Sequence, residues 1–499
     1  MKKNTSLVNI VRRGFSRTAI GLESEEIAKI ALAESMAEVR SKIRSKLKGK
    51  GGNPEHNAAV GRFAHDQARA LKKEIVQNRR PKVSPLSLIR HMSASPLLDA
   101  LDRERAKKWK KPLSRRFQSE LPRISLNYLN FLDRPIETME ELLKLSKAEQ
   151  ELLNAYLDFD DTYCHDIGAF LVVAEIWPQL GPVFRGGRMS PAIQKVLDAV
   201  KLGRDLNIRL NNVHNHDNVW PFEIRRRRPR GTTQSATAQL QPQGREQLND
   251  KLVGLIDEWL AVASDHISGQ QANSDETIWS LTGDGKANIA NMVGEILDNA
   301  ERHSSGDGDG DWSMAAFMAK RDGENGAPPA MKCYLAFLSV GRSIAETIAE
   351  SPEPTRSFCH KYASAHAREG QAYETLLTIA ALQDGVTSSV EASQNRRGGT
   401  GLQDTLDFIG DLGGAPKAAA DVHLTIVSGK SCIKLSHPIL VGKSDGKNRR
   451  VQWCNVANDP TYPPDRSIAF DLPAHFAGTL VSVAFTLDPS LFVPDGESE

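Results

Sequence analysis

Two stretches of the chain alternate strand-like and helix-like patterns, and this alternation limits the possible folds more than any other feature. Residues 121–215 predict strands at 123–128, 155–159 and 206–210 and helices at 136–145, 166–177 and 191–202. Residues 245–488 predict helices at 246–264, 287–303, 356–369, 372–382 and 403–412 and strands at 312–320, 332–339, 422–427, 432–435 and 478–487. Strands separated by helices of this length indicate compact sheet domains. The predicted fold class is therefore α+β, with a small α/β domain at 121–215 and a larger one at 245–488.

Three further segments lack this alternation. Residues 1–120 predict a basic helical arm, in which Ser24 caps an amphipathic helix that continues to Leu47. Residues 216–244 are rich in Arg and Gln and predict a linker. Residues 489–499 predict a loose acidic tail. A chain of 499 residues is expected to form two or three domains.

The net charge of +2 conceals a strong asymmetry. Residues 1–120 contain 28 Lys and Arg against 12 Asp and Glu, whereas the remainder contains 36 against 50. Together with the run Arg225–Arg230, the basic arm predicts a contact with nucleic acid or with an acidic partner. The alternative is a solvated helical face that complements the acidic half of the chain, since no aromatic residues interleave with the charges as a stacking platform requires.

Composition argues against several classes of protein. The chain is 40% hydrophobic and 25% charged, as soluble globular proteins are. No apolar run approaches the roughly 20 residues of a membrane span, and the N-terminus lacks the apolar segment of a secretory signal. Five scattered cysteines without a C-x-x-C pair predict free thiols in a reducing cytoplasm rather than a zinc site.

The helix predicted at 287–303 carries the residues with the most specific chemistry. Glu295 and Asn299 lie one turn apart on the same side of this helix. The amide oxygen of Asn299 is a hard ligand suited to Mg²⁺, the ion that accompanies nucleotide phosphates. The carboxylate of Glu295 can orient or deprotonate a water for attack on a terminal phosphate. Taken alone, this short E-x-x-x-N pattern is as typical of two polar residues on the exposed side of a core helix as it is of a nucleotide site.

A glycine-rich turn follows about one hundred residues later in the sequence. Arg397, Gly399, Thr400 and Gly401 precede the helix predicted at 403–412. Glycines at a helix N-terminus let backbone N–H groups approach phosphate oxygens, and the helix dipole favours negative charge there. Between the two motifs an apolar strand breaks at Gly341. Together the motifs predict a site for a phosphorylated ligand.

This ordered set of motifs resembles the GHKL ATPase family, which comprises gyrase-type topoisomerases, ninety-kilodalton heat-shock chaperones, MutL proteins and the ATP-binding domains of histidine kinases. The family's E-x-x-x-N helix is matched by Glu295 and Asn299, its G-x-G turn by Gly399 and Gly401, and its closing G-T-x-V strand by residues 476–485. The resemblance covers roughly residues 245–488. It implies an α/β sandwich that binds ATP, with Mg²⁺ held at Asn299, Glu295 as the catalytic residue, and possible assembly as a homodimer.

The family's D-x-G-x-G motif is matched only in part, by Ser339, Gly341 and Ser343. The resemblance implies that Ser339 occupies the position whose carboxylate accepts a hydrogen bond from the adenine amino group. A neutral serine there predicts the loss of about 1–3 kcal/mol of binding free energy. The segment from Ala345 to Arg397 corresponds to the family's nucleotide lid, in which Arg397 is a candidate cation for the terminal phosphate.

Three functions remain open on this basis. The first is a Mg-dependent ATPase or an ATP-gated switch that acts on a protein or nucleic-acid partner through residues 121–215, whose pattern is similar to a STAS module. The second is a histidine or serine protein kinase, for which His65–Asp66 and His165–Asp166 are the available H-D pairs. The third is a non-catalytic nucleotide sensor or scaffold.

Overall fold

The structure, a computed structural model, describes residues 95–101, 122–150, 155–181, 184–206, 219–227, 279–303, 311–321, 330–386, 401–413, 421–436, 443–444, 450–487 and 491–494. Its elements in chain order are α1 (Pro96–Leu101), β1 (Arg123–Leu126), α2 (Pro135–Gln150), β2 (Ala155–Phe159), α3 (Ile167–Leu180), β3 (Phe184–Arg188), α4 (Pro191–Ala199), α5 (Leu202–Asp205), β4 (Val219–Arg227), β5 (Trp279–Leu281), α6 (Gly283–His303), β6 (Trp312–Arg321), β7 (Ala330–Val340), α7 (Ile344–Ala349), α8 (Thr355–His366), α9 (Tyr373–Ala381), α10 (Gly401–Leu412), β8 (Val422–Ser436), β9 (Lys443–Ser444), β10 (Arg450–Val451), β11 (Ala469–Thr486) and β12 (Phe492–Pro494). Helices occur together with parallel and antiparallel sheets, so the predicted α+β class is confirmed.

The first of two compact units comprises residues 1–125, 143–158 and 176–188. Its sheet has the order β1-β2-β3, and β2 and β3 are parallel. The predicted strands at 123–128 and 155–159 are confirmed as β1 and β2. β3 was not predicted, because its sequence Phe-Arg-Gly-Gly-Arg has two residues that are depleted in strands. Gly187 is required there, since a Cβ atom would lie 1.5 Å from the carbonyl oxygen of Leu157.

The second unit comprises residues 126–142, 159–175 and 189–499, and its main sheet has the order β4-β6-β7-β11-β8. Every neighbouring pair in this sheet is antiparallel. The strands predicted at 312–320 and 332–339 are confirmed as β6 and β7. The segments predicted as separate strands at 422–427 and 432–435 form one strand, β8. The strand predicted at 478–487 begins nine residues earlier, as β11.

Residues 219–227 form an edge strand, although the sequence analysis placed them in the linker 216–244. Trp220, Phe222 and Ile224 alternate along β4 and are buried, which is a strand pattern that the surrounding arginines and Pro221 obscured. Arg226 is buried and its Nη1 lies 3.4 Å from Oδ1 of Asp205. The prediction of a linker at 216–244 is therefore wrong for residues 219–227. Arg226 forms an ion pair with Asp205.

The five-stranded sheet is covered on both faces. Helices α6 to α10 pack on one face and enclose a single apolar core, which includes the residues predicted to form the buried side of α6, namely Ile289, Met292, Val293, Ile296 and Leu297. The first turn of α3 packs on the opposite face, where a Cβ atom on Gly168 would lie 2.2 Å from Oγ of Ser482. Residues 159–175 therefore belong to the same compact unit as this sheet.

Several predictions lie outside the described residues. They are the helices at 24–47, 56–79 and 246–264, most of the helix at 93–111, all but the first residue of the strand at 206–210, and most of the tail at 489–499. Residues 492–494 of that predicted tail form β12. Within the part of the chain that the structure describes, no helix is both long enough and apolar enough to cross a membrane. The five cysteines are buried free thiols.

Candidate functional site

The helix α6 presents Glu295 and Asn299 at the border of its buried face. Both residues are half-buried, whereas Asn291, one turn before Glu295, is exposed. The apolar side of α6 packs against β6 and β7 and along α10. The helix predicted at 287–303 is thus confirmed, and it begins at Gly283.

The helix α10 begins at Gly401, the last residue of the glycine-rich turn. Leu406, Ile409 and Leu412 bury its apolar face in the same core as α6. The fold thereby brings the E-x-x-x-N helix and the glycine-turn helix side by side. Arg397, Gly399 and Thr400 lie outside the described residues.

Charge near the start of α10 is balanced by Arg450. Its Nη2 lies 2.6 Å from Oδ1 of Asp404, and its Nη1 lies 2.5 Å from Oδ2 of Asp407. Burial alone would lower the pKa of Arg450, but the hydrogen bonds and charges of these two carboxylates raise it above its ordinary value. Arg450 therefore offsets two negative charges in the first two turns of α10, where an anionic ligand would otherwise be repelled.

A row of three hydroxyl residues crosses β7, β11 and β8 on the face of the sheet that the helices cover. Ser339 is in register with Thr479, and Thr479 is in register with Ser428. Side chains alternate between the faces of a strand, so these residues share the face of Phe337 and Val481, which pack in the core beneath the helices. We call Ser339, Thr479 and Ser428 the hydroxyl row.

The hydroxyl row is hydrogen-bonded within itself and to α7. Oγ of Ser339 donates to the carbonyl oxygen of Thr479 at 3.3 Å, and Oγ of Ser428 lies 2.8 Å from Oγ1 of Thr479. Oγ of Ser428 also accepts from the backbone N–H of Ile344 at 2.8 Å. Ser339 is 7% exposed. The hydroxyl row is therefore made of neutral groups that both donate and accept hydrogen bonds.

Backbone geometry explains which parts of the D-x-G-x-G pattern are kept. Gly341 has a φ of +145°, a conformation that favours glycine. Ser343 is the N-cap of α7: its Oγ accepts from the N–H of Glu346 at 3.2 Å, and Glu346 accepts from the N–H of Ser343. This capping box gives Ser343 a structural role that a glycine side chain cannot perform.

Between β7 and the glycine-rich turn, the described residues 344–386 include the helices α7, α8 and α9. The helices predicted at 356–369 and 372–382 are confirmed as α8 and α9. Asp471 of β11 anchors the start of α9, since it accepts from the N–H of Ala372 at 2.8 Å and from Oγ1 of Thr375 at 2.5 Å. The side chain of His475, which is 12% exposed, lies between Glu374 at 3.5 Å and Glu346 at 3.8 Å. Asp471 and His475 of β11 thus hold the starts of α7 and α9 against the sheet.

The sequence analysis did not identify Thr479 or Ser428 as site residues. Thr479 lies 140 positions from Ser339 in the sequence, and only the strand register brings the two together. In the sequence, each of these hydroxyl residues lies next to a glycine that borders an apolar stretch, as Ser428–Gly429 and Gly478–Thr479 show. This pairing is the one local pattern that could have indicated them. Among the described residues, no group of three or more His, Cys, Asp or Glu side chains is arranged to hold a metal ion.

Comparison with known proteins identifies no family for the chain. No protein-family model matches it, and neither a curated protein nor a solved structure matches it.

Proposed function

We propose that the protein binds ATP with Mg²⁺ and hydrolyses it, and that it acts as an ATP-gated switch of the GHKL kind on a protein or nucleic-acid partner. One observation carries the proposal: the hydroxyl row lies on the same sheet face on which α6, with Glu295 and Asn299, packs along α10. A polar strand end, a carboxylate and amide pair, and a glycine-led helix N-terminus are the groups that a nucleotide needs.

Each group has a distinct role in this proposal. Asn299 supplies an oxygen ligand to Mg²⁺, whose other ligands are phosphate oxygens and water. Glu295 orients the attacking water, and the turn from Arg397 through Gly399 and Thr400 to Gly401 holds the phosphates. Ser339 and Thr479 meet the edge of the base with hydroxyl groups. The order of the elements along the chain also supports the proposal. The resemblance predicts the same order, namely α6, β6, β7, the helical segment, α10, β8 and β11.

The direct test is ATP binding and phosphate release by the purified full chain with Mg²⁺. Glu295→Gln keeps the size of the side chain and is expected to abolish phosphate release while leaving ATP binding largely intact. Asn299→Ala is expected to remove the Mg²⁺ dependence of binding. Asn291→Ala is the matched control, since it makes the same substitution at an exposed position of the same helix. Equal phosphate release by wild type and Glu295→Gln would exclude Glu295 as the catalytic residue.

The same experiment separates the two other functions. Label from [γ-³²P]ATP that stays on the protein would indicate a kinase, with His165 as the first candidate because it is exposed, whereas its neighbour Asp166 is buried. ATP binding without phosphate release would indicate a sensor. Absence of ATP binding would exclude the proposed site altogether.

A further inference from the structure

One face of the β1-β2-β3 sheet is polar and exposed. Arg123 of β1, Tyr156 and Asp158 of β2, and Arg188 of β3 come together on it, although 35 positions separate Arg123 from Asp158 and 30 separate Asp158 from Arg188. The side chains of Arg123 and Arg188 are 51% and 74% exposed, whereas that of Asp158 is 1% exposed. We call these four residues the arginine face.

A single buried carboxylate organises the two arginines. Nη1 of Arg123 donates to both oxygens of Asp158, at 2.9 and 2.7 Å. Nη2 of Arg188 donates to Oδ2 at 3.1 Å, and the backbone N–H of Arg188 donates to Oδ1 at 3.0 Å. Burial would raise the pKa of Asp158, but the two guanidinium groups hold it below its ordinary value. Asp158 therefore stays charged and fixes both guanidinium groups, so the three residues together carry a net charge of +1.

The fixed guanidinium groups have donors to spare. A guanidinium carries five N–H donors, and the bonds to Asp158 use only one nitrogen of each side chain. Because the rotamers of both arginines are already restrained, an incoming anion meets a prepared pair of donors at a reduced entropic cost. The arrangement suits the planar, bidentate recognition of a phosphate group.

An aromatic ring lies beside these donors. Cζ of Arg123 is 5.0 Å from the ring centroid of Tyr156, which is half-buried. On the neighbouring strand, Gly186 has a φ of +142° and is exposed, and even a Cβ atom there would stay 3.9 Å from the ring. No side chain at position 186 covers the edge of the ring. The face thus combines two exposed cations, an aromatic ring and bare backbone.

We propose that the arginine face binds single-stranded nucleic acid, with phosphates on Arg123 and Arg188 and a base against Tyr156. Arginines beside an aromatic ring on an open sheet surface are the combination that single strands use, since every base has a π-face and every linkage a negative charge. The charge of the chain supports this occupant, because residues 1–120 carry 28 basic against 12 acidic residues and attract the same polyanion. The proposal does not depend on ATP binding.

The test measures the affinity of the full chain for a labelled oligothymidylate and oligouridylate by fluorescence anisotropy over a range of salt concentrations. Each phosphate contact contributes a slope of about 0.7 to the dependence of log affinity on log salt for a single strand, equivalent to about fivefold in affinity at about 0.1 M salt. Arg123→Gln and Arg188→Gln are each expected to weaken binding about fivefold, and the double variant about 25-fold with a slope smaller by about 1.4. Tyr156→Leu is expected to weaken binding with an unchanged slope.

Two controls keep the test decisive. Arg134→Gln removes the same charge from another exposed arginine that stacks on a tyrosine, with Cζ 4.2 Å from the ring of Tyr128, and is expected to leave the affinity unchanged. The arginine substitutions are repeated with Asp158→Asn, so that no buried carboxylate loses its partners. Equal affinity and slope for wild type and the double variant would overturn the proposal. Binding of a phosphorylated peptide without binding of either oligonucleotide would also overturn it.

Discussion

Protonation of Asp166 is expected to change the stability of the fold between pH 4 and pH 6. Asp166 is buried directly before α3 and accepts hydrogen bonds from the N–H of Phe131 at 2.8 Å, the N–H of Gly168 at 2.7 Å and Oγ of Ser482 at 3.0 Å. Burial raises the pKa of Asp166 from 3.8 to about 6, although these hydrogen bonds act in the opposite direction. The difference of roughly two pKa units corresponds to at most about 3 kcal/mol.

The sign of the effect follows from proton binding. Between pH 3.8 and about 6, the folded chain holds a proton on Asp166 that the unfolded chain has released. The contribution of Asp166 to the free energy of unfolding is therefore highest below pH 3.8, falls as pH rises through 6, and is constant above that range. Most surface carboxylates that have favourable partners act in the opposite sense, so the effect is visible only as a difference between variants.

The assay is urea unfolding of wild type and Asp166→Asn at intervals from pH 4 to pH 8. Asn does not titrate, so the stability of wild type minus that of the variant is expected to fall by up to about 3 kcal/mol across this range. Ser482→Ala removes one donor to the carboxylate and is expected to move the midpoint of that fall to higher pH. A difference that stays constant from pH 4 to pH 8 would refute the argument, because it would mean that Asp166 has an ordinary pKa in the folded state.

Four further predictions concern stability and are checked by thermal or urea unfolding. Gly478→Ala is expected to destabilise the sheet by about 1–3 kcal/mol, because φ is +119° and the new Cβ atom would lie 2.0 Å from the carbonyl oxygen of Ser339. Gly294→Ala is expected to stabilise α6 by about 0.5–1 kcal/mol, because no atom lies within 4 Å of the new Cβ atom. Asp471→Ala removes two hydrogen bonds that anchor the start of α9 and is expected to cost about 1–3 kcal/mol, whereas an unchanged stability would mean that water replaces the carboxylate. His423 and Lys332 hold the pKa of Asp421 below its ordinary value, so the stability that this carboxylate contributes is lost as pH falls. Asp421→Asn is therefore expected to lose less stability than wild type does when the pH is lowered.

Elements with a clear period were predictable from the sequence, and elements with mixed signals were not. The apolar spacing of α6 and the continuous apolar runs of β6 and β7 identified their type, since burial on one stripe or on both faces leaves a direct mark on composition. β3 and β4 were missed because the glycines of the first and the arginines and Pro221 of the second outweigh a short alternation. Tertiary pairing, rather than local propensity, stabilises both strands.

The candidate site was predictable to the extent that it is local in sequence. Glu295 and Asn299 are one turn apart, so their relation follows from helix geometry alone. Ser343 shows the limit: its capping box depends on the backbone geometry at the start of α7, which the partial D-x-G-x-G match did not predict. The hydroxyl row depends on the register of three strands that are distant in sequence, which no local pattern encodes.

The strand order of the five-stranded sheet places β4 and β8 at its edges, and both strands are poor templates for a further strand. In β4, Pro221 has no N–H to donate, and the pairing shifts register between Phe222 and Arg225. In β8, Lys430 is exposed and Lys434 is half-exposed, so a strand from another molecule would have to accommodate their charges. These features disfavour pairing between the sheet edges of two molecules. They matter most during folding, when strands are transiently exposed and aggregation competes with folding.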